Sequence, residues 1–433
     1  MESAKVAIIG FGTIGSGVAR LLLEHGERID RHAGRTVELV QVVDPDLNRP
    51  RNVRLPSGLL TDDLSKILNN PEITAVVQVV GGLEPDRSIM LKVLESGKDV
   101  ITANKALLAE HGPELFDRAR QLGRSIAFEA AVAGGIPIIA AMGESLAANQ
   151  IESIHAILNG TSNFILTRME EQGTSYAAAV AEAQQRGYAE ANPAMDVNGS
   201  DAAQKLAILS HLAFGARVSW RDIPRTGIDT VDVTDMRYAK ELGYSIKLLA
   251  VANLVPEGLE LHVSPTMVRR GSPLAEVRGA FNAIRVVGDA VGKVFFQGLG
   301  AGQMPTASAV VADLIGTIVG RTAITFRSLD LWSQRREAPV TVRDPSEVPG
   351  RFYLRFNVDD RPGVLAEIAG ILGKHRISIA SVIQHEAGED AANVVPLIIM
   401  THVAPEGAMT EAQRTIDKLP AVHAGSVRMR VRD

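Results

Sequence analysis

Six residues near the start, Gly10-Phe11-Gly12-Thr13-Ile14-Gly15, constrain this chain more than anything else in it. They follow a strand-like run, Lys5-Val-Ala-Ile-Ile9, and open a helical stretch, Gly17 to His25. Glycine permits the tight turn and lets a backbone approach a pyrophosphate at a helix N-terminus. The spacing alone is weak; the strand–turn–helix context is what the motif requires. The alternation then continues. Strands are expected at Thr36–Val43, Ala75–Val80 and Asp99–Thr102, with a helix at Asp86–Glu95. This pattern predicts an α/β fold with a doubly wound parallel sheet.

The middle of the chain reads differently. A cap cluster at Asn159–Asn163 leads into a helix near 164–171. Ser175–Arg186 reads as a second helix, and Ser200 as the cap of a third over Asp201–Phe214. Short strands are expected from Leu248 to Phe296, then an apolar helix from Pro305 to Gly320. Arg335–Arg351 is the expected linker, with three prolines, seven charges and no periodicity. After it the order β-α-β-β-α-β over 352–433 is the ferredoxin-like plan. The domain reading is therefore 1–135 for nucleotide, with 305–330 returning to it, 136–304 for catalysis, 335–351 as linker and 352–433 as a final module.

Composition removes several function classes. The 433 residues include no cysteine, which excludes disulfides, thiolate metal sites and a cysteine nucleophile. The net charge of −5 shows no basic excess of the kind nucleic-acid binders carry. Uncharged apolar runs stop near 14 residues, so no membrane span is expected. The start lacks a secretory h-region and cleavage site, which predicts a cytoplasmic protein.

Several residues carry chemistry, each with a plainer alternative. Asp44 ends the second strand, where a carboxylate bonds the adenosine ribose. It lies 29 residues after Gly15, so Glu24–Arg35 is expected to be an insertion. Arg49 and Arg51 could instead meet a 2′-phosphate, and Asp44-Pro45 also reads as a solvated turn. Gly81-Gly82-Leu-Glu84-Pro85 and Thr102-Ala-Asn104-Lys105 end strands at the crevice side of such a sheet; Lys105 reads equally as surface. Glu129 to Pro137 can offer several oxygens to one hard cation, or is simply a bent strand exit. Glu190, Asp196, Asp201 and Lys205 place three carboxylates and a lysine within 16 residues. Asp201 and Lys205 are i,i+4 and share a helix face. They are either a surface ion pair or a carboxylate-supported proton donor. Gly298-Leu-Gly300-Ala-Gly302 is a second glycine-rich loop at a helix start. The histidines, His155 and His211 among them, lack ligand spacing and read as structural.

Taken in order, these segments resemble bacterial homoserine dehydrogenase: Gly10–Gly15, Gly81–Pro85, Thr102–Lys105, Ala133–Pro137, Asn159–Thr167, Gly187–Glu190, Asp196–Lys205 and Gly300–Asp313. Residues 4–330 carry this resemblance. Asp360-Arg-Pro-Gly363, Ile377-Ser-Ile and Gln384 resemble an ACT domain. The resemblance implies a Rossmann-like nucleotide domain, an α+β catalytic and dimerisation domain, and an ACT regulatory domain. It implies NAD(P)-dependent interconversion of L-aspartate 4-semialdehyde and L-homoserine, on the route to threonine, isoleucine and methionine. It implies Lys205 as proton donor with Asp201 holding it. Glu190 and Asp196 would bind the substrate ammonium, and Gly160, Thr161 and Tyr188 would shape the pocket. Gly10 to Gly15, Asp44, Lys105 and Gly302 would meet the cofactor. A sodium ion would sit on Glu129 and the carbonyls of Val132, Gly134 and Ile136. Val43 stands where NADP-using members often carry arginine, which favours NAD. A homodimer or homotetramer and an amino-acid effector, threonine, at the ACT domain complete the expectation. A 2-hydroxy-acid dehydrogenase would need a histidine–carboxylate pair that is not in evidence, and an amino-acid sensor would not need the 190–205 cluster.

Overall fold

The computed structural model describes residues 3–330, 332, 340–385 and 393–433. Residues 335–339 of the expected linker lie outside the described residues. The chain divides into two compact units. The first comprises Met1–Glu152, Gln204–Asp222 and Asn282–Val340; the second comprises Ser153–Ala203, Ile223–Phe281 and Thr341–Asp433.

In the first unit six strands form a parallel sheet. They are β1 (Ser3–Ile9), β2 (Thr36–Val43), β3 (Leu60–Thr61), β4 (Ile73–Gln78), β5 (Asp99–Thr102) and β6 (Ile126–Ala127). Their order is β3-β2-β1-β4-β5-β6. The switch point lies between β1 and β4, where such sheets bind ligands at the carboxyl ends of the strands. Val6, Ala7 and Ile8 are fully buried, as a strand covered on both faces requires. The expected insertion folds as a helix of its own, Gly26–Ala33, which buries Ile29 and Ala33 and ends at a left-handed Gly34. Helix Gln303–Ile318 completes this core: Ala307, Val310 and Leu314 share one apolar cluster with Val6, Ile8 and Val18.

The remaining strands are β7 (Ile151–Ile157), β8 (Tyr244–Val255), β9 (Gly258–Arg269), β10 (Phe281–Gly288), β11 (Gly292–Leu299), β12 (Pro349–Asp359), β13 (Ile379–Gln384), β14 (Val394–Thr401), β15 (Ala404–Pro405) and β16 (Val422–Arg432). The hairpin β10–β11 falls in the first unit. In the second unit the order is β7-β8-β9-β16-β12-β14-β13. The expectation of short strands after Leu248 is corrected here: β8 and β9 are twelve residues each. The first nine residues of β8 are all buried, so the strand is extended by packing rather than ended by local turns.

The C-terminal module keeps the ferredoxin-like order, with β16-β12-β14-β13 carrying helices Val364–Lys374 and Glu406–Ile416. Its own core joins Phe352, Phe356, Ile368, Leu397 and Ile416. The last strand, β16, pairs in parallel with β9 at Arg430↔Thr266, Val431↔Met267 and Arg432↔Val268. The module is thus continuous with the preceding sheet. A buried network secures the seam. Asp235, fully buried at the start of helix Val233–Glu241, accepts from Arg355 Nε (2.7 Å), Arg355 Nη2 (3.1 Å) and the Tyr353 hydroxyl (2.9 Å). No single helix among the described residues is long and apolar enough to cross a membrane.

Candidate functional site

The first-unit site begins at the end of β1. Gly10 has φ +94° and donates its N–H to Val43 O (2.9 Å). A Cβ there would lie 2.8 Å from Val79 O, and a Cβ on Gly15 would lie 1.9 Å from Gly10 O. Only glycine fits either place. Helix Thr13–Glu24 starts from Gly12 with no side-chain cap, and nothing lies within 4 Å of where a Gly12 Cβ would stand. That combination of helix dipole, uncapped first turn and open approach fits a pyrophosphate. Phe11 and Ile14 flank the turn and pack on the core.

Asp44 is tied to the same turn. Phe11 N–H donates to its Oδ2 (2.6 Å), and Arg51 Nη2 to its Oδ1 (3.1 Å). Arg51 Nε also donates to Phe11 O (2.8 Å), and the guanidinium lies 4.9 Å from the Phe11 ring centroid. Arg49 is joined to this cluster through its carbonyl, which accepts from Arg51 Nη1 (2.9 Å).

The ends of β4 and β5 are stitched by polar side chains that motif reading missed. Asn104 caps helix Lys105–Gln121 through Leu107 N–H (3.1 Å) and donates to Gly82 O (2.7 Å) and Asp86 Oδ2 (2.6 Å). Gln78 donates to the other Asp86 oxygen (2.5 Å). Burial pushes the Asp86 carboxyl above its ordinary range. Lys105, half-buried, is the first residue of that helix. An asparagine directly before a helical run was the available signal for Asn104.

Glu129 is 5% exposed, and its two oxygens accept from Ile139 N–H and Ala140 N–H, both at 2.8 Å. Its own N–H donates to Asp313 Oδ2 (2.8 Å). Asp313 is half-buried; burial, then the Glu129 charge, push its carboxyl well above the carboxylate range. Burial raises Glu129 too, against the backbone N–H groups that lower it. Between Val132 and Ile136 the chain bends through Ala133 (φ +55°) and Gly134 (φ +52°). A Cβ on Gly134 would lie 2.5 Å from Gly300 O, and Gly135 N–H donates to Leu299 O (3.1 Å). The two glycine loops are therefore brought together, and Gly302 (φ +116°) starts helix Gln303–Ile318 beside them. An all-oxygen donor set on so bent a loop suits a hard cation. Among the described residues no cluster of three or more His, Cys, Asp or Glu forms a metal site, and His155 and His211 are buried in structural hydrogen bonds.

The second-unit site centres on Asn159, expected only as part of a cap cluster. Its Oδ1 caps helix Gly160–Gln172 through Ser162 N–H (2.7 Å). Its Nδ2 donates to Asp196 Oδ1 (2.7 Å) and Asp201 Oδ2 (2.8 Å). One amide thus fixes two carboxylates that stand 37 and 42 residues away. Ser162 Oγ donates to Asp196 O (2.9 Å), and Thr161 Oγ1 to Tyr188 O (2.6 Å). The Tyr188 ring packs 4.9 Å from Phe164 and is half exposed. Gly160 is the first residue of the helix. Glu190 is exposed, its carbonyl accepting from Gln184 (3.2 Å), and Asp196 is half-buried.

Helix Ser200–Phe214 carries Asp201 and Lys205 one turn apart, 6% and 8% exposed. A solvated surface pair would not be so buried. Ser200 is the first helical residue rather than the expected cap. Gly199, at φ +82°, turns the chain into the helix, and Asn198 Oδ1 accepts from Ser200 N–H (2.9 Å).

Comparisons with known proteins match three successive stretches of the chain. A family model described as homoserine dehydrogenase matches residues 137–315. A second, the homoserine dehydrogenase NAD-binding domain, matches 10–129, and an ACT domain model matches 352–420. A homoserine dehydrogenase of Pseudomonas aeruginosa is 42% identical over 100% of this chain and 99% of its own. The crystal structure of a homoserine dehydrogenase from Thiobacillus denitrificans superposes with TM-score 0.92 at 41% identity, covering 100% and 99%. A hyperthermophilic archaeal homoserine dehydrogenase in complex with NADPH is similar over 73% of this chain and 97% of its own, with TM-score 0.59 at 26% identity.

Proposed function

The chain belongs to the homoserine dehydrogenase family, and we propose that Lys205 is the proton donor of its reaction. The enzyme interconverts L-aspartate 4-semialdehyde and L-homoserine with a nicotinamide cofactor. The observation that supports Lys205 is its burial one helical turn from Asp201, whose carboxylate Asn159 fixes. Bound NAD(P)H supplies the hydride that reduces the aldehyde carbon. As negative charge develops on the carbonyl oxygen, the Lys205 ammonium stabilises it and then protonates it. Asp201 orients that ammonium. Asp196 and Glu190 take the substrate ammonium, while Gly160, Thr161 and Tyr188 bound the pocket. Asn159 is a positioning residue for both Asp196 and Asp201.

Phe11 and the Gly10–Gly15 turn would hold the pyrophosphate, with Thr13 and Ile14 opening the helix, and Asp44 the ribose. Lys105 and Gly302 would complete the cofactor contacts. The Asp44–Arg51 pair suits either cofactor: the carboxylate serves NAD, and a rotated Arg51 serves a 2′-phosphate. Glu129 and the carbonyls of Val132, Gly134 and Ile136 would hold a sodium ion that braces the loop. The domain reading retained is 1–135 with 305–330 for nucleotide, 136–304 for catalysis and 352–433 for regulation. For regulation, the turn Asp359–Leu365 with Gln384 lines a cavity of about 380 Å³ in the ACT module, the place proposed for threonine. A homodimer or homotetramer on the route to threonine, methionine and isoleucine remains the working assembly and setting.

The test is reduction of NAD⁺ and NADP⁺ with L-homoserine. Lys205→Ala is expected to lose ~10²–10⁴-fold in kcat with cofactor affinity unchanged. Unaltered turnover in that variant would sink the assignment. Asn159→Ala is expected to raise KM as well as lower kcat, since it disturbs both carboxylates.

A further inference from the structure

The seam between the ACT module and the catalytic sheet holds a second, half-open cavity, of about 170 Å³. At about 30 Å³ per water in the liquid, that is room for roughly six non-hydrogen groups. The apolar lining is Leu261 and Val263 of β9, Val348, and Phe352 of β12, over whose ring the Arg428 and Arg430 guanidiniums lie (5.9 and 5.6 Å). The polar lining is cationic: Arg225, Arg428 and Arg430, together with the Glu406 carboxylate. Arg428 Nη2 and Arg430 Nη2 both bind Glu406, at 2.9 and 2.5 Å, so one carboxylate serves two guanidiniums. His262 also lines the cavity, and burial holds it neutral, its pKa well below the ordinary value. Burial likewise pushes the Arg430 guanidinium down, against the Glu406 carboxylate that raises it.

We propose that this cavity is a binding site for a small aliphatic carboxylate, its carboxylate on Arg430, Arg428 and Arg225 and its alkyl part against Leu261 of β9 and Val348. Planar guanidiniums are suited to carboxylate recognition, and the apolar wall excludes a bare inorganic oxyanion as the better ligand. The cavity is separate from the turn around Gly363 proposed above for threonine, and the inference does not depend on the role given to Lys205.

Occupancy would be felt at the substrate loop. Residues 224–226 form part of the cavity wall and are bridged to β9: Thr226 N–H donates to Val263 O and Val263 N–H to Pro224 O, both at 2.9 Å. Two residues on, Ile228 N–H donates to Val197 O (2.9 Å), next to Asp196. Gly227 sits so close to that turn that a Cβ would lie 2.6 Å from Val197 O. Displacement of the strip therefore has little slack to absorb it before residues 196–198 move.

The experiment is calorimetric titration of the full chain with isobutyrate, L-valine and inorganic phosphate at matched ionic strength. Isobutyrate or L-valine is expected to bind, with the tighter of the two telling a simple acid from an amino acid. Arg225→Ala removes an exposed side chain and should weaken that binding tenfold or more, as should Arg430→Gln. Gln384→Ala and Lys205→Ala should leave it unchanged. If Arg430→Gln fails to fold, Arg225→Ala decides. Saturation with the bound acid should shift the KM for L-homoserine at least threefold. The site is overturned if neither acid binds, if phosphate binds as well as the acids, or if binding follows Gln384 instead. A KM that stays fixed on saturation overturns the link to the substrate loop.

Discussion

Glu129 in the first unit and Asp235 in the second are both buried carboxylates, and their partners differ in kind. Glu129 is held by backbone N–H groups of residues 139 and 140. Asp235 is held by a guanidinium and a phenol in addition to one backbone N–H, that of Asp232 (3.0 Å). Backbone dipoles satisfy the oxygens without cancelling the charge, so Glu129 retains an attraction for a cation. A guanidinium offsets it, and Arg355 reaches Asp232 as well (2.9 Å), so Asp235 sits in a charge-paired peg. The first arrangement equips a region to bind something; the second locks two parts of a chain together. Asp44 shows the two combined, with one oxygen on Phe11 N–H and the other on Arg51.

The comparison breaks most visibly at the peg. Asp235→Ala leaves Arg355 buried with its main partner gone and should cost about 3–5 kcal/mol in a urea melt. The double variant Asp235→Leu with Arg355→Met should recover most of that loss, because it removes the stranded charge as well. A double variant no better than the single one would mean the pair does more than dock.

Lys247 supplies the mirror image, a buried ammonium held by a carbonyl, Val277 O (2.6 Å). Burial lowers its pKa from 10.5 to about 8. Below about pH 8 it is charged in both folded and unfolded states, and the folded state bears the full desolvation penalty. Between about 8 and 10.5 the folded state releases the proton that the unfolded state keeps, so stability rises with pH through that window. The full span is worth about 3 kcal/mol. Thermal melts from pH 7.5 to 10 should therefore show the wild type gaining on Lys247→Met.

The smallest expected effect is at Glu129. Glu129→Gln keeps one strong acceptor and loses the charge, at a cost of about 1.5–3 kcal/mol. Any dependence of Tm on sodium chloride over potassium chloride in the wild type should vanish in this variant. A sodium effect that survives the substitution would remove Glu129 from the ion site.

These contrasts also mark what the sequence could disclose. The glycine turn, the doubly wound alternation and the β-α-β-β-α-β order of the last module are local patterns, and each was legible. The 190–205 carboxylates and lysine were legible as chemistry but not as a constellation. Their organiser, Asn159, reads as an ordinary helix cap, because its second role depends on side chains 37 and 42 residues away. Ser200 misled because the left-handed Gly199 moved the helix start by one residue. The joining of β16 to β9 was invisible, since alternation along a strand says which face is buried and not whose edge it meets. Arg355 and Asp235, 120 residues apart, are hidden for the same reason.

Helix Gln303–Ile318, packed among Val6, Ile8 and Val18, carries a consequence for synthesis. The nucleotide-binding sheet is translated first, yet its apolar surface is not covered until residue 318 has emerged. At roughly 5–20 residues per second, the nascent sheet waits on the order of ten seconds or more with that face open. A gene fragment ending near residue 135 is therefore expected to leave that face of the sheet uncovered.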